Sequence, residues 1–516
     1  MDKRNYWWVI PLLYVIGGLF VPLFFLFYKF GGINFSTIKD HLNVIKFTIT
    51  QAIVSSIFTL ILGLPGAYIV ARTKTHAFLK SIFRILSSIP FILPGVTMSI
   101  GFLMAFGRNG LLTKLLGILG FDGKILYTFT AVILGHVFYN FPLFIRIVGE
   151  TWEKIDASLI EAAKIDGAKQ HRIFWKVELP ILTPSILKAF LLTYVYTFTS
   201  FSVVLILGGI KYSTIEVSIY MYTKILFDFK SALSLSFFQI LFISVVSYML
   251  SFEKFEFHNG DSLKEKFPIW GYFYIILTIA IIFIPLTYSV LSGFINYGGG
   301  FGTENFKRLL SLNLKRYIGT TFSSMFVYTI SFSIISSIIS IIISIVSSFY
   351  KIQKLQYLMF LPASISPVTL AFSYVSLNIS QYISILVIYS LISLPIVYGI
   401  ISSGWKTIDP YSIEAAKIDG ANTFNLNLKI RFPQIKYHLL TAFVYAFTLS
   451  IGEMSATITL SNPPVSTLSI SIYRLLSSRK IPEARALNTI YSFIVILLFS
   501  TIEYLRNKKL KNIYIK

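Results

Sequence analysis

A nine-residue polar string, IEAAKIDGA, occurs twice in this chain without a single change, at residues 160–168 and 413–421. Each copy is a polar island between long apolar runs, and the copies start 253 residues apart in a chain of 516. Packing against lipid or a core requires only approximate apolar character and tolerates substitution. Strict identity in a polar string therefore indicates one docking surface built twice, and predicts a chain made of two copies of one unit.

The composition predicts an integral membrane protein. Hydrophobic residues make up 55% of the chain and charged residues 13%, well below the roughly 25% usual in soluble domains. Apolar runs near the roughly 20 residues needed to cross a bilayer recur along the whole length. We expect an all-α polytopic fold with about 12 transmembrane helices, six per half, at 8–30, 47–71, 82–107, 126–148, 182–209, 233–252, 269–294, 321–350, 355–377, 383–403, 439–460 and 489–505.

The duplication also predicts the organisation and the topology. The first repeat covers residues 1–252 with a polar loop at 152–180, a charged linker covers 253–267, and the second repeat covers 268–516 with a loop at 405–433. Six spans per repeat return the chain to its starting side, so the repeats are parallel and both loops face one compartment. Lys and Arg are in modest excess on that side, which the positive-inside rule makes cytoplasmic, together with both termini.

The net charge of +23 does not indicate nucleic-acid binding, because the cations are scattered over short loops with no basic patch. Positive-inside sorting and contact with anionic membrane lipid explain the charge better. The chain has no Cys, which excludes disulfides and thiolate metal sites. Its six His residues lack metal-ligand spacing, so we predict no metal site.

Each polar loop is predicted to form a helix, a glycine break and a second helix. Asp156 stands near an N-cap position, good helix formers follow, and Gly167 is where the first helix should end, because glycine adopts the left-handed conformation cheaply. The second copy repeats this pattern with Pro410 near the first turn and Gly420 at the break. Such a helix pair presents small residues for close approach and a carboxylate for a cationic partner.

The order EAA, three variable residues, Gly and a later Pro resembles the cytoplasmic EAA loop of permease subunits of binding-protein-dependent ABC importers. In that family the loop fits a groove on the ATP-hydrolysing subunit and transmits its closure to the membrane helices. The resemblance implies two ATPase subunits bound by one chain, an extracytoplasmic solute-binding protein, and a bacterial or archaeal cytoplasmic membrane. It assigns ATPase coupling to Glu161, Ala162, Ala163, Asp166, Gly167 and Ala168, and to Glu414, Ala415, Ala416, Asp419, Gly420 and Ala421.

The sequence contains no G-x-x-x-x-G-K-[ST] phosphate loop. We therefore predict that the chain is not an enzyme and holds no cofactor, and that ATP with Mg²⁺ is bound by the partner ATPase. A secondary transporter is a weaker alternative, because parallel repeats and a duplicated cytoplasmic loop are not what that class requires.

Further segments, such as LGHVFYNFPLFIRIV at 134–148 and LSIGEMSATITL at 449–460, resemble the fused two-repeat permeases for thiamine and for ferric iron. These motifs separate the two solutes poorly. We favour thiamine or a related cationic solute, with ferric iron as the alternative and a polyamine, sulfate or another small solute behind it.

Glu453 is the main candidate for the translocation pathway. A carboxylate within an apolar run is costly in a bilayer unless it faces a polar cavity or a partner. It aligns with Ser200 of the first repeat. A purely structural hydrogen bond from Glu453 to a neighbouring Ser, Thr or helix backbone remains open.

Other pathway candidates lie in the fourth, fifth and eleventh predicted spans. His136 and Asn140 stand one turn apart and would form a polar face. Tyr139, Tyr194 and Tyr445 could stack on a flat cation. Aromatic residues are abundant in this chain, so lipid-facing or packing roles for these tyrosines stay open.

Overall fold

The computed structural model describes residues 6–514 apart from 33–34, 75–92, 119, 121–122, 252–263, 297–299 and 351. Throughout this part of the chain the regular structure is helical, and the only β pairing consists of two isolated bridges, Thr73–Glu265 and Ile295–Phe301. Hydrocarbon offers no water to backbone groups, so a spanning segment must satisfy them internally, as a helix does. The all-α prediction is confirmed.

The chain forms two compact units. Unit A consists of Phe35–Ser218 and Leu241–Arg308, and unit B of Met1–Asn34, Ile219–Ile240 and Leu309–Lys516. The helices of unit A are Phe35–Asp40, Leu42–Arg72, Gly95–Ala105, Leu111–Ile118, Phe129–Glu153, Ala157–Ile165, Gln170–Ile173, the π-helix Phe174–Glu178, Leu179–Phe198, the π-helix Val204–Gly208, the 3₁₀ turn Ile210–Tyr212, Ile269–Leu291 and the 3₁₀ turn Ser292–Phe294.

The helices of unit B are Tyr6–Trp8, Val9–Val15, the π-helix Ile16–Phe20, Val21–Phe30, Leu314–Ile318, Phe322–Tyr350, Gln353–Phe360, the 3₁₀ turn Leu361–Ser364, Pro367–Val375, Gln381–Lys406, Pro410–Ile418, Thr423–Leu426, the π-helix Asn427–Arg431, Phe432–Gly452, Ser455–Leu460, Leu468–Ser477 and Ile481–Tyr514. Three more helices hold residues of both units: Ile215–Lys224, Phe229–Ser251 and Glu304–Ser311.

The compact units are not the two sequence repeats. The first helix of the second repeat, Ile269–Leu291, belongs to unit A, and the first long helix of the chain, Tyr6–Phe30, belongs to unit B. The boundaries 1–252, 253–267 and 268–516 describe the duplication of the sequence and stay a prediction. Residues 252–263 of the linker lie outside the described residues.

Within the described residues, nine helices are long and apolar enough to cross a membrane. They are Tyr6–Phe30, Leu42–Arg72, Phe129–Glu153, Gln170–Phe198, Phe229–Met249, Ile269–Phe294, Phe322–Tyr350, Gln381–Lys406 and Ile481–Leu498. A bent pair brings the number to ten, and Gly95–Ala105 and Leu468–Ser477 are shorter apolar helices. Part of the predicted span at 82–107 lies outside the described residues.

One predicted span, 355–377, is not straight. Helices Leu355–Ser364 and Pro367–Val375 meet at an angle of 92°. The second helix has its own N-terminus, where the Ser366 hydroxyl accepts the Thr369 N–H at 3.1 Å and Pro367 occupies the first turn. Because this cap and the proline start a new helix, the apolar run does not continue as a single rod.

Two further predicted spans, 182–209 and 439–460, are broken. The first stops at Phe198 before a π-helix, Val204–Gly208, and the second stops at Gly452 before the short helix Ser455–Leu460. The last span starts at Ile481 rather than 489, with Pro482 in its first turn. Apolar length alone cannot report these breaks, because caps inside the protein satisfy the freed backbone groups.

Small side chains allow close helix packing in both units. In unit A, a Cβ added to Gly63 would lie 2.5 Å from Phe144 Cβ, where Leu42–Arg72 crosses Phe129–Glu153. In unit B, Ser340 donates to the Ser390 carbonyl at 2.7 Å. Small and hydroxyl-bearing residues are typical of helix contacts in membranes, because they admit close approach and satisfy polar groups.

Helix Ile269–Leu291 is seated in unit A by a glycine contact. A Cβ on Gly101 would lie 2.2 Å from the Pro285 carbonyl oxygen and 2.9 Å from Ser289 Cβ. Ser289 also donates its hydroxyl to the Thr97 carbonyl at 2.7 Å. The first helix of the second repeat is thereby fixed against the short helix Gly95–Ala105 of the first.

Gly101→Ala is expected to destabilise this contact, because a backbone oxygen stands where the methyl group would go. We expect a cost of about 1–3 kcal/mol, measured as a lower melting temperature of the purified protein in detergent. Gly17→Ala is the control, since nothing lies within 4 Å of its added Cβ. Equal melting temperatures for the two variants would contradict the close packing of Ile269–Leu291 on Gly95–Ala105.

Candidate functional site

The two polar loops, which we call the first EAA loop (residues 152–180) and the second EAA loop (residues 405–433), fold in the same way. Each begins with a nine-residue helix, Ala157–Ile165 or Pro410–Ile418. Asp156 Oδ1 accepts the Ser158 N–H at 2.9 Å, and the Asp409 carboxylate accepts two backbone N–H groups, at 3.0 and 3.2 Å. The predicted N-cap is thus present in both copies.

The first helix of each loop ends at a left-handed glycine. Gly167 and Gly420 both have a φ of 77°. The next alanine donates its N–H back into the helix, from Ala168 to the Ala163 carbonyl at 3.0 Å and from Ala421 to the Ala416 carbonyl at 2.9 Å. These bonds form a Schellman motif in each loop. Nothing lies within 4 Å of a Cβ added to either glycine, so the backbone conformation, rather than crowding, requires glycine there.

The identical string presents the same exposed surface twice. Ile160 is fully buried, while Ile165 is 86% exposed, and its counterpart Ile418 is also 86% exposed. Glu161 and Glu414 are exposed as well. The remaining residues of the predicted coupling set divide in a similar way: Ala162, Asp166, Gly167, Ala415, Asp419 and Gly420 are exposed, Ala163, Ala168 and Ala421 are half-buried, and Ala416 is buried. Each loop therefore combines an exposed isoleucine with an exposed carboxylate one turn away.

The second part of each loop differs between the copies. Exposed His171 and Trp175 of the first EAA loop correspond to exposed Phe424 and Leu428 of the second. The unbroken run of identity thus covers only the last six residues of the first helix and the glycine turn that follows. In both copies the chain then passes through a five-residue π-helix, Phe174–Glu178 or Asn427–Arg431, and runs directly into a long apolar helix.

A tryptophan at the base of each loop packs on the membrane helices. The Trp152 ring lies 5.5 Å from the Tyr68 ring and 5.9 Å from the Phe174 ring, between ring centroids. The equivalent Trp405 ring lies 5.9 Å from Phe349. The contacts with Tyr68 and Phe349 connect the start of each loop with helices Leu42–Arg72 and Phe322–Tyr350.

The charged contacts at the two bases are different. In the first EAA loop, Glu178 pairs with Arg72 of helix Leu42–Arg72, and both side chains are almost fully buried, at 2% and 1% exposed. Its counterpart in the second loop is Arg431, which lies over the Phe349 ring at 5.2 Å. The sequence analysis did not predict the ion pair of Arg72 with Glu178. The available signal was an Arg ending an apolar run and a Glu just before the proline that precedes the next run.

Glu453 lies at the break between helices Phe432–Gly452 and Ser455–Leu460. Its Oε1 accepts the Ser455 hydroxyl at 2.5 Å and the Ala456 N–H at 2.9 Å. Its backbone carbonyl accepts the Tyr389 hydroxyl at 3.2 Å. The side chain therefore caps the short helix, the structural arrangement that the sequence left open, while its role in translocation stays a prediction.

Ser200 occupies the equivalent break in the first repeat. Helix Leu179–Phe198 ends there, and the Ser200 N–H donates to the Thr197 carbonyl at 3.3 Å. The interruption of the helix is therefore shared by both repeats, but the carboxylate is present only in the second.

The structure brings His136 and Asn140 together in the interior of unit A. His136 Nδ1 lies 3.3 Å from the Ser55 hydroxyl, and Asn140 donates its side-chain N–H to the His136 carbonyl at 2.9 Å. Both side chains are buried. His136 thus contacts helix Leu42–Arg72 through Ser55, and a role for the pair in translocation stays a prediction.

The candidate tyrosines are in separate environments. Tyr139 donates its hydroxyl to the Leu93 carbonyl. Tyr194 packs on the Phe198 and Phe242 rings, with centroids 5.9 and 6.1 Å away. Tyr445 is 38% exposed. A joint role for these rings in solute binding stays a prediction.

Comparison with known proteins places the chain in a family. The family described as "Binding-protein-dependent transport system inner membrane component" matches residues 63–253 and 353–511, one match in each repeat and more than half of the chain.

Individual relatives agree with that match at low identity. The thiamine transport system permease protein ThiP of Brucella abortus (strain 2308) is 22% identical over 478 residues, covering 88% of this chain and 86% of ThiP. The probable transport system permease protein NifC of Clostridium pasteurianum is 28% identical over 189 residues, covering 36% of this chain and 65% of NifC, slightly under two thirds of its length. The sulfate transport system permease protein CysT of Escherichia coli (strain K12) is 29% identical over 189 residues, covering 36% of this chain and 67% of CysT.

The duplicated family match coincides with the duplicated loop structure. Family members are permeases of ABC importers, whose ATPase is a separate subunit and which work with a solute-binding protein. This chain belongs to the family of binding-protein-dependent transport system inner membrane components.

Proposed function

We propose that this chain is a transmembrane permease of an ABC importer, and that each EAA loop binds one ATPase subunit. The observation that carries the proposal is the duplicated surface: two copies of the string IEAAKIDGA, each at the end of a nine-residue helix that stops at a left-handed glycine, and each with an isoleucine that is 86% exposed. The ATPase pair binds ATP with Mg²⁺, and an extracytoplasmic solute-binding protein delivers the solute.

The chemistry of the exposed surface supports a protein partner. Burying an isoleucine side chain contributes about 1.5–3 kcal/mol, so Ile165 and Ile418 would each stabilise a complex that covers them. Glu161 and Glu414 provide charge complementarity to a basic groove, which fixes orientation and increases the association rate. Because the two strings are identical, one kind of groove fits both, and we propose two copies of a single ATPase subunit.

In the proposed mechanism the loops follow the ATPase pair as it closes on ATP. The first helix of each loop moves as a body, because its Schellman turn and N-cap fix both ends. The movement reaches the long helices Leu179–Phe198 and Phe432–Gly452, which continue from the loops without a chain break. In this mechanism the solute pathway opens to the outside while ATP is bound and closes to the outside again after hydrolysis.

For the solute we propose thiamine or a related organic cation. The match to the thiamine permease extends over 88% of this chain, against 36% for the sulfate permease. In this proposal the Glu453 carboxylate attracts the cation, while its Oε1 accepts the Ser455 hydroxyl and the Ala456 N–H. Ferric iron is the alternative cation, on the resemblance of the sequence motifs.

Charge reversal of both loop carboxylates, Glu161→Lys with Glu414→Lys, is expected to disrupt coupling. Like charges facing each other across the interface would lower the affinity for the ATPase at least tenfold, about 1.4 kcal/mol or more. ATPase co-purification and ATP-driven uptake by proteoliposomes measure this. Glu150→Lys is the control, since the Glu150 side chain is 63% exposed and pairs with the exposed Arg146. Wild-type affinity and uptake in the double variant would refute the docking role of the loops.

Two substitutions separate the electrostatic and structural roles of Glu453. Glu453→Gln retains an oxygen that can accept from Ser455 and Ala456 but removes the charge, whereas Glu453→Ala removes both. We expect Glu453→Gln to melt like the wild type and to take up radiolabelled thiamine at least fivefold more slowly, and Glu453→Ala to melt at a lower temperature. Wild-type uptake by Glu453→Gln would show that the Glu453 carboxylate only caps the short helix and does not attract the solute.

A further inference from the structure

The described end of the inter-repeat linker is bound to the base of the first EAA loop. Glu265 donates its backbone N–H to the Arg72 carbonyl at 2.7 Å, and the Lys74 N–H donates to the Glu265 carbonyl at 2.7 Å. These two bonds make the parallel bridge between Thr73 and Glu265. The linker thus pairs with the chain that leaves helix Leu42–Arg72, although almost 200 residues separate the two segments.

The side chains of Glu265 and of its neighbour Lys264 reach three helices of unit A. Lys264 Nζ donates to the Ala71 carbonyl at 2.6 Å and to Glu153 Oε1 at 3.1 Å. Glu265 accepts the Tyr68 hydroxyl at 2.9 Å on Oε2 and the Gln170 amide at 2.6 Å on Oε1. We call Lys264 and Glu265 the linker clamp.

The clamp connects the first EAA loop with two long helices of unit A. Gln170 opens the second helix of the first EAA loop, Glu153 ends the helix that leads into the loop, and Tyr68 belongs to helix Leu42–Arg72. Four residues after Glu265 the chain enters helix Ile269–Leu291, with Pro268 at its N-cap. The Phe267 ring between them packs edge-on against Tyr272 at 4.5 Å. A short, hydrogen-bonded path therefore leads from the loop to the first helix of the second repeat.

The second EAA loop has different residues at the matching positions. Thr423 stands where the first loop has Gln170, and Arg431 stands where the first loop has Glu178. Arg431 makes a hydrogen bond to Asn427 at 2.9 Å within its own π-helix, in addition to its contact with the Phe349 ring. The chain also has one inter-repeat linker for two loops. The two loops therefore share the string IEAAKIDGA but are held by different contacts at their bases.

We infer that Lys264 and Glu265 are positioning residues, which transmit movement of the first EAA loop to helix Ile269–Leu291 and make the two loops unequal in coupling. The inference rests on the proposed function, in which the ATPase moves the loops. Gln170, held by Glu265, carries the movement of the loop into the linker. Helix Ile269–Leu291 then moves with the first EAA loop, although it belongs to the second repeat.

The test uses the full chain in complex with its ATPase, with a fluorescent probe on helix Ile269–Leu291. The chain has no Cys, so Ile269→Cys, at a position that is 89% exposed, provides a single labelling site for an environment-sensitive maleimide dye. Addition of ATP with Mg²⁺ is expected to change the fluorescence. Glu265→Ala is expected to reduce that change at least threefold while ATP hydrolysis stays within twofold of the wild type.

Matched variants separate the clamp from general damage. Glu265→Gln, which can still accept from Gln170, should recover part of the signal, and Lys266→Ala, one residue away on an exposed side chain, should leave it unchanged. Gln170→Ala should reduce the signal, and the double variant should be no worse than Glu265→Ala alone, since Glu265→Ala already removes the contact with Gln170.

The possible results distinguish the clamp from the proposed function. A full ATP-dependent signal in Glu265→Ala, with ATP hydrolysis intact, would overturn the clamp and leave the docking role of the loops standing. If Thr423→Ala of the second loop reduced the signal as much as Gln170→Ala, the clamp would also be overturned, because the two loops would then be coupled to helix Ile269–Leu291 equally. Failure of the unmodified chain to bind the ATPase would instead refute the proposed function.

Discussion

The left-handed glycine that ends each short EAA helix is the constraint on which the exposed surface of both EAA loops depends. Gly167 and Gly420 reverse the chain within two residues, and the Schellman bonds that follow satisfy carbonyls that a helix end would otherwise leave unpaired. The reversal leaves Ile165 and Ile418 exposed while the opposite face packs on the protein. A side chain with a Cβ at either glycine would be strained whatever space surrounds it.

The two repeats share the string IEAAKIDGA but not the contacts at the base of the loops. The buried pair of Arg72 with Glu178 is a contact that resists disruption, since removing one member of a buried ion pair typically costs about 3–5 kcal/mol. The Arg431 contact with the Phe349 ring is half-exposed, and cation–π contacts are worth about 0.5–2 kcal/mol. The two loops thus carry the same string on different contacts, and the repeats also differ where Glu453 has Ser200 as its counterpart.

The sequence predicted what local chemistry determines. The helical class, most spans, the Asp156 cap and the Gly167 turn follow from apolar length, capping preference and the conformational freedom of glycine. It did not predict the 92° bend before Pro367 or the break at Glu453. At both places a side chain caps the start of a new helix, so the helix can be interrupted while the sequence stays apolar. Pairing between distant residues, such as Arg72 with Glu178 or Glu265 with Gln170, leaves no periodic signal. The placement of helix Ile269–Leu291 in unit A likewise depends on contacts between residues that are distant in the chain.

The most direct test of the central claim is site-specific cross-linking from the two exposed isoleucines. In a chain without native Cys, Ile165→Cys and Ile418→Cys can each carry a photoactivatable maleimide, with Ile210→Cys, 75% exposed elsewhere in unit A, as the control. Both loop positions are predicted to cross-link to the same ATPase subunit, and the control position to give no such product. Absence of an ATPase product from both loop positions in the assembled, ATP-hydrolysing complex would contradict the account.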